Sequence, residues 1–366
     1  MTYLKARQRI AWIGMLIWTG VCGFLLWQGY QGSLMEWEPT RLTATLVLMA
    51  LMVLVSLPMD WLGGYWLVHR YSRSSIKAGE WWLGWTKAAT IQSLIMGLNL
   101  LVLGAATAWL GWLGALGWLF ISMMIFLGFQ FYLHVAMTWQ PHVMENNQGR
   151  LLFVVDTADR TFTGGIFGIP GKESIVYPKY WQERFGKSVN QLLIARRHGA
   201  VNIGSHGRGV LLAIGWNLGL FALAMFLSPE LPSTGLGLIS TVAIFSLLNL
   251  LTQLFPLPAI SRRAVYQLDL WTYQKKMNPD DLRKSMEVTH RLREDLGEEN
   301  LPLSRWAATP TRAMRDQHFS RQKPVKGAWQ ASRQANFTSW AGFNLLNRAW
   351  PDQLGRPDVW VFPPVD

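Results

Sequence analysis

The stretch from Ser188 to Arg208, which we predict to be one helix, carries residue types that could bind a metal, but it contains no acid. On a helix, two histidines four residues apart face the same side and hold Zn²⁺, while a neighbouring glutamate activates the metal-bound water. Here His198, Asn202 and His206 follow one another at four-residue intervals. Because no carboxylate accompanies them, we interpret His198 and His206 as solvated or headgroup-facing side chains. A relocated metal site at these two histidines is the weaker alternative.

Two arginines, Arg196 and Arg197, lie in the middle of this stretch. A guanidinium stays protonated, so neither residue can act as a general base, and a cation repels a metal ion. One interpretation is an anion site for a lipid phosphate or an acidic partner. The other is that Arg197 pairs with Asp269. We favour the pairing, since an ion pair can join this stretch to the segment around Asp269 in place of a metal.

The overall composition is typical of a membrane protein. Half of the 366 residues are hydrophobic, 15% are charged, and 21 are tryptophan. The single cysteine, Cys22, excludes an intrachain disulfide and a cysteine-based zinc site. The net charge of +12 is explained by Lys and Arg at the inner membrane face. No nucleic-acid recognition motif accompanies this charge, so we expect no nucleic-acid partner.

Six hydrophobic runs are predicted to cross the bilayer, which requires about 20 apolar residues for each span. The runs are Ile10–Trp27, Leu42–Leu57, Ala88–Trp109, a fourth ending near Met137, Gly209–Leu227 and Gly235–Pro258. The first run lacks an Ala-x-Ala cleavage pattern and is interpreted as a retained span. Basic residues in alternate loops place both termini on the inner side. We expect a multi-pass protein of the bacterial inner membrane with cytoplasmic termini.

The segment between the fourth and fifth runs contains two predicted strands. Leu151–Asp156 and Glu173–Pro178 are rich in β-branched and aromatic residues and are bounded by turn formers. We expect them to form a hairpin ahead of the helix. The glycine-rich Thr163–Gly171 lacks the Gly-Lys-Ser/Thr ending of a phosphate loop. The expected fold class is therefore a predominantly α-helical polytopic membrane protein with about six transmembrane helices and a small α+β cytoplasmic domain.

The tail after the last span has two parts. Asn278–Gly297 reads as a capped amphipathic helix, and Arg305–Asp366 is a basic, tryptophan-rich arm. We predict that this arm contacts a partner protein or anionic lipid, and that its end adds as an edge strand to another protein. The contact residues chosen are Arg305, Arg312, Arg315, Trp329, Trp340 and Trp350.

Several segments together resemble the integral-membrane CAAX prenyl endopeptidases. Gly199 and Gly204 lie where the zinc helix of that family has glycines. Ser56–Leu103 is also similar to a segment of the family, and Val154–Trp181 resembles the strands before the zinc helix. Ser261–Trp271 is similar to the segment with the third zinc ligand. Ala308–Phe319 resembles the region of a His-Pro pair. The resemblance implies a membrane-embedded zinc endopeptidase fold, a zincin-like cytoplasmic domain and a hydrophobic chamber between the spans.

The residues that the family uses for catalysis are replaced in this chain. In the register of the resemblance, the zinc histidines fall on Arg196 and Ala200, the general base on Arg197, the third ligand on Val265 and a later histidine on Thr309, while Asp269 is retained. Five coincident losses imply a pseudoprotease, a degenerate family member that binds no zinc.

We therefore expect a catalytically inactive structural or assembly subunit of a membrane protein complex, in contact with lipids and other subunits and without a cofactor. The alternative is a binder of lipid, isoprenoid or pigment in the chamber, and the third hypothesis is an active membrane peptidase with an atypical site. The predicted divisions are residues 1–137 with a cytoplasmic connector at 58–87, then 138–208, 209–258, 259–304 and 305–366.

Overall fold

The computed structural model describes residues 3–31, 39–72, 76–157, 162–254, 256–274, 310–321, 323–350 and 353–362. The helices are α1 (Tyr3–Gln31), α2 (Arg41–Asp60), α3 (Leu67–Arg70), α4 (Ala78–Thr138), α5 (Lys179–Arg184), α6 (Lys187–Asn202), α7 (Ser205–Leu227), α8 (Gly235–Leu254), α9 (Pro256–Gln274), α10 (Arg312–Arg321) and α11 (Ala331–Thr338). The strands are β1 (His142–Asn147), β2 (Arg150–Val155), β3 (Gly165–Phe167) and β4 (Ser174–Pro178).

The prediction of a predominantly helical, polytopic membrane protein is confirmed. Within the described residues, four helical stretches are long and apolar enough to cross a membrane: 5–28, 41–70, 78–138 and 205–227. A bent pair, 235–251 with 256–274, adds a fifth candidate with an angle of 47° at its break. The second stretch continues beyond Leu57 through a π-helix, Trp61–Trp66, to Arg70, so helix extends into the predicted connector.

The 61-residue α4 is two spans folded back on each other. Gly111 has φ 57° and ψ −134°, a backbone conformation that other residues rarely adopt. On either side of it the arms are antiparallel, since Asn99 donates to Ser122 Oγ (2.7 Å) and Trp118 Nε1 donates to Asn99 Oδ1 (2.6 Å). A straight helix of this length would measure about 90 Å, three times the hydrocarbon thickness. When the two arms of α4 are counted separately, the described residues contain six candidate spans by length and composition.

The sheet has four strands in the order β1-β2-β4-β3. The two predicted strands are present, but the prediction that they form a hairpin is wrong, because β2 and β4 pair in parallel. The antiparallel partners of β2 and β4 are β1 and β3. One is polar and the other is short, so hydrophobic patterning does not predict them. One partner is β1, which is exposed along almost its whole length and joins β2 through a turn with positive φ at Gln148 and Gly149.

The predicted continuous helix from Ser188 to Arg208 is also wrong. Helix α6 ends at Asn202, and α7 begins at Ser205. Between them Gly204 has φ 67°, the left-handed conformation in which glycine commonly ends a helix. His198 and His206 therefore lie on different helices.

The prediction of a C-terminal arm that lies on a partner or on lipid does not fit residues 327–350 and 353–362, whereas residues 313–321 and 323–326 are largely exposed. After α10 the chain turns inward, and residues 327–350 and 353–362, which we call the C-terminal insert, are almost entirely buried between the spans. Trp360 and Phe362, near the predicted edge strand, are 0% exposed. The insert is rich in Ala, Asn and Trp. Residues 275–309, with the predicted helix Asn278–Gly297, lie outside the described residues.

Candidate functional site

The region that resembles a zinc site is held by a buried carboxylate. Asp269 on α9 has a side chain that is 3% exposed, and its Oδ1 forms an ion pair with Arg196 Nη1 of α6. Arg315 of α10 binds the same carboxylate through two bonds, Nε to Oδ2 at 2.9 Å and Nη2 to Oδ1 at 2.7 Å. Such two-point guanidinium–carboxylate contacts are strong and directional. Asp269 thus joins three helices at one charged junction.

The favoured pairing of Arg197 with Asp269 is wrong. Consecutive residues on a helix point about 100° apart, so Arg196 faces α9 and Arg197 faces the sheet. The buried guanidinium of Arg197 donates to the carbonyl oxygens of Val176 and Thr163. It also lies 5.3 Å from the ring centroid of Tyr177. Arg197 therefore joins α6 to the sheet. A general base at this position would instead have to face a substrate.

The residues at the positions of the zinc ligands and of the general base do not fit a zinc ion. Arg196 and Arg197 are cations engaged with protein acceptors, and Ala200 and Val265 are buried apolar side chains. Among the residues that the structure describes, no group of three or more His, Cys, Asp or Glu could hold a metal. Thr309, the fifth replaced position, lies outside the described residues.

Both histidines of the weaker metal alternative are buried, so the interpretation of them as solvated or headgroup-facing is wrong. His198 Nδ1 is 3.2 Å from Arg150 Nη1, and its Nε2 is 3.2 Å from Asn147 Oδ1. Burial and the adjacent Arg150 lower the pKa of His198. His206 is 0% exposed, with its ring centroid 6.4 Å from that of Trp329. A metal at His198 would have to displace Arg150 from Nδ1 or Asn147 from Nε2.

The predicted partner-contact residues are distributed over three environments. Arg315 binds Asp269, while Trp329 and Trp340 are buried within the chain. Trp350 is half-buried. Arg312 begins α10, and nothing is described of its side chain; Arg305 lies in the undescribed stretch. A role in partner or lipid contact stays a prediction, and for Trp329 and Trp340 it would require the insert to move.

A second buried carboxylate, Asp60 at the end of α2, holds the insert from inside the membrane domain. It accepts a hydrogen bond from Gly355 N (2.7 Å) and one from Trp85 Nε1 (2.9 Å). Arg348 forms an ion pair with it at 3.6 Å, and both side chains are 1% exposed. Arg348 also donates to the carbonyl oxygen of Met52 (3.2 Å). A charge this deeply buried requires such a partner.

A ladder of asparagine side chains crosses the interior. Asn249 of α8 donates to Asn217 Oδ1 of α7 (3.0 Å), and Asn344 of the insert donates to Asn249 Oδ1 (3.0 Å). Asn217 in turn donates to Thr338 Oγ1 (2.8 Å). Amides within apolar spans are costly unless they find partners. Amides and an acid within apolar runs are the sequence signal that could have indicated a polar segment of the same chain packed between the spans.

The insert occupies the place between the spans where the resemblance implies a chamber. One cavity among the described residues, beside Gln92, Met96, Phe126 and Trp340, has room for about one water molecule. A lipid, isoprenoid or pigment at this place would have to displace the insert.

Comparison with known structures gives the fold. The crystal structure of Ste24p from S. mikatae matches with a TM-score of 0.61, covering 74% of this chain and 73% of that chain at 14% sequence identity. This chain has a Ste24p-like fold. The likeness confirms the expected CAAX-endopeptidase-type architecture, and an identity this low carries the fold alone. No family model matches the sequence, and no curated protein matches it.

Proposed function

We propose that this chain is a catalytically inactive protein with a metalloprotease-like membrane fold, acting as a structural or assembly subunit of a membrane protein complex. The proposal places it in the bacterial inner membrane with both termini cytoplasmic, because basic residues alternate between its loops. It needs no zinc. The observation that carries the proposal is the charged junction, in which Asp269 is bound by Arg196 and Arg315.

Three features support inactivity. The retained acid is already bound by two guanidiniums, so it is not available to orient a metal ligand. The general-base position is a buried arginine that donates to main-chain carbonyls. The insert is buried between the spans, at the place where the resemblance implies the chamber.

A subunit role is supported by aromatic side chains on the outer surface. Trp27, Trp109 and Trp139 are 58%, 88% and 77% exposed. Tryptophans at span ends anchor a protein to the membrane interface, and exposed aromatic surface is also enriched where proteins meet. A scaffold that presents such surfaces can hold neighbouring subunits without any catalytic step.

The test is isolation of the protein from native membranes in mild detergent. Mass spectrometry, zinc analysis and a peptide-cleavage assay follow on the same sample. We expect stoichiometric protein partners, no bound zinc and no cleavage. Stoichiometric zinc together with cleavage that a chelator abolishes would overturn the proposal and favour an active peptidase with an atypical site. A co-purifying lipid or pigment without protein partners would favour the chamber-binding alternative.

A matched variant shows whether the zinc analysis can detect a site in this fold. The combined change Arg196→His, Arg197→Glu, Ala200→His and Val265→Glu restores the ligand types at the positions of the resemblance. We expect this variant to take up zinc where the parent chain does not. If the parent chain binds as much zinc as the variant, the claimed register is wrong.

A further inference from the structure

One face of the β1–β2 hairpin packs on the membrane domain. Side chains alternate along a strand, so His142, Met144 and Asn146 of β1 share a face with Leu151 and Phe153 of β2, in the register that pairs Met144 with Phe153 and Asn146 with Leu151. On this face the rings of Phe153 and His142 contact Phe131 of α4, with centroid distances of 4.2 Å and 5.0 Å. We call it the α4 face.

The opposite face of the hairpin packs on α6. Asn147 and Arg150 hydrogen-bond with His198 of that helix. Leu152 and Val154 belong to a buried cluster with residues of α6. Helix α6 is not among the candidate spans. The two faces of the hairpin therefore have different surroundings, one of membrane helix and one of helix outside the spans.

A tryptophan and a lysine mark the membrane interface beside the hairpin. Trp139 ends α4 and is exposed, and Lys87 Nζ of the other arm lies 3.4 Å from its ring centroid. Tryptophan rings and lysine ammonium groups at span ends typically lie at the level of the headgroups. Phe131 precedes Trp139 by eight residues, about 12 Å along the helix. The α4 face of the hairpin thus touches α4 on the membrane side of this marker.

The apolar surface of α4 continues onto the hairpin. Beside the contact with Phe131, Met144 and Leu151 of the α4 face are 62% and 48% exposed. On α4, Phe129 and Tyr132 are exposed as well, and ring contacts of 6.1 Å and 6.2 Å link Phe129 to Tyr132 and Tyr132 to Phe131. Exposed apolar side chains on a span face lipid. The same lipid surface therefore extends to Met144 and Leu151.

The position of β1 limits how deeply the hairpin can enter the bilayer. Among the described residues β1 is an edge strand, so its outer N–H and C=O groups are not paired within the sheet. Such groups need water or lipid headgroups and are too costly to place in hydrocarbon. The amide of Asn146 on the α4 face has the same requirement. The strand can lie at the level of the headgroups, with only Met144 and Leu151 reaching below it.

We propose that the β1–β2 hairpin is an interfacial membrane anchor, with Met144 and Leu151 inserted between the lipid headgroups. Its partner is the bilayer itself. The anchor holds the sheet, and with it α6, against the membrane at a point beyond the end of α4. This inference rests on the membrane fold and not on the subunit role proposed above.

The experiment uses the full-length chain in a Cys22→Ser background, with bimane attached to single cysteines in liposomes of phosphatidylcholine and phosphatidylglycerol. Met144→Cys is the probe of the α4 face. Val143→Cys is its matched control, since Val143 is adjacent, apolar and 61% exposed but points to the opposite face. Emission is quenched either by phosphatidylcholine brominated near the top of its acyl chains or by iodide in the water. Phe129→Cys gives the signal of a lipid-facing position on α4.

We expect the ratio of bromolipid quenching to iodide quenching to be at least about tenfold larger at residue 144 than at residue 143. Leu151→Cys should follow residue 144, and Glu145→Cys should follow residue 143. Each labelled chain is compared with the parent by thermal unfolding, and all these side chains are exposed, so no loss of fold is expected.

Two results would overturn the proposal. Equal quenching by iodide at residues 143 and 144 would place both faces in water. Protection of residue 144 from both quenchers would show that protein covers this face. The measurement needs neither partners nor zinc analysis, so its failure is distinguishable from failure of the proposed function.

Discussion

Two buried carboxylates hold the C-terminal part of the chain, and they do so in different surroundings. Asp269 lies at the junction of α6, α9 and α10, where its two arginines keep 13% and 8% of their side chains exposed. Asp60 lies inside the membrane domain, where its ion-pair partner Arg348 is 1% exposed. One carboxylate is shared between two cations near water. The other has one ion-pair partner, two neutral donors and the more distant charge of Arg7.

This difference indicates which contact controls the fold. Guanidiniums at the junction that lose their acid can still turn toward water, but Arg348 cannot. The interior pair should therefore contribute more to stability, although the junction occupies the position that resembles a catalytic centre. The predictions below test this order, from the largest expected effect to the smallest.

Removing the interior acid should have the largest effect. Asp60→Ala leaves Arg348 buried without a counter-charge and also removes the acceptor of Gly355 N and Trp85 Nε1. We expect a loss of about 4 kcal/mol in the free energy of unfolding, measured by denaturant titration in micelles. The matched control is Asp156→Ala, which breaks an ion pair with Lys179. Both of these side chains are about half exposed, so the free energy of unfolding should change little.

Removing the acid of the junction should cost less. Asp269→Ala leaves Arg196 and Arg315 without their shared partner, and we expect a loss of about 3 kcal/mol. The same titration measures it. A loss larger than that of Asp60→Ala would reverse the proposed order and make the junction the main support of the C-terminal part.

Shortening the middle of the asparagine ladder should cost less again. Asn249→Ala removes one bond to Asn217 and one to Asn344. Hydrogen bonds between spans typically contribute about 1 kcal/mol each or less, so we expect a loss of about 1–2 kcal/mol. Asn146→Ala on the exposed β1 is the control. Equal effects of the two changes would show that the ladder contributes no stability.

The smallest effect concerns pH. Burial and Arg150 lower the pKa of His198, so below about pH 6.5 the unfolded chain binds this proton more readily than the folded chain does. Stability therefore falls as pH falls. His198→Gln should lose less thermal stability between pH 7 and pH 5 than the parent chain, with His142→Gln on β1 as the exposed control. An unchanged pH dependence would show that His198 does not titrate in this way.

The absence of acids around Arg196 and Arg197 argued against a general base there, and the absence of zinc stays a prediction. Which arginine meets Asp269 depends on how α6 is rotated against α9, which spacing does not determine. The burial of His198 and His206 likewise depends on a helix break at Gly204.

The sequence by itself determined the apolar spans, the separation of the third and fourth of them and the two central strands, because hydrophobic length and β-branched patterning act locally. Only the tertiary structure decided that β2 and β4 pair in parallel and that the C-terminal insert lies inside the membrane domain. Those outcomes depend on contacts between distant residues, such as Asp60 with Arg348 and Asn249 with Asn344. A basic, tryptophan-rich segment fits a membrane surface as well as a polar interior, and only the buried partners on the spans distinguish the two.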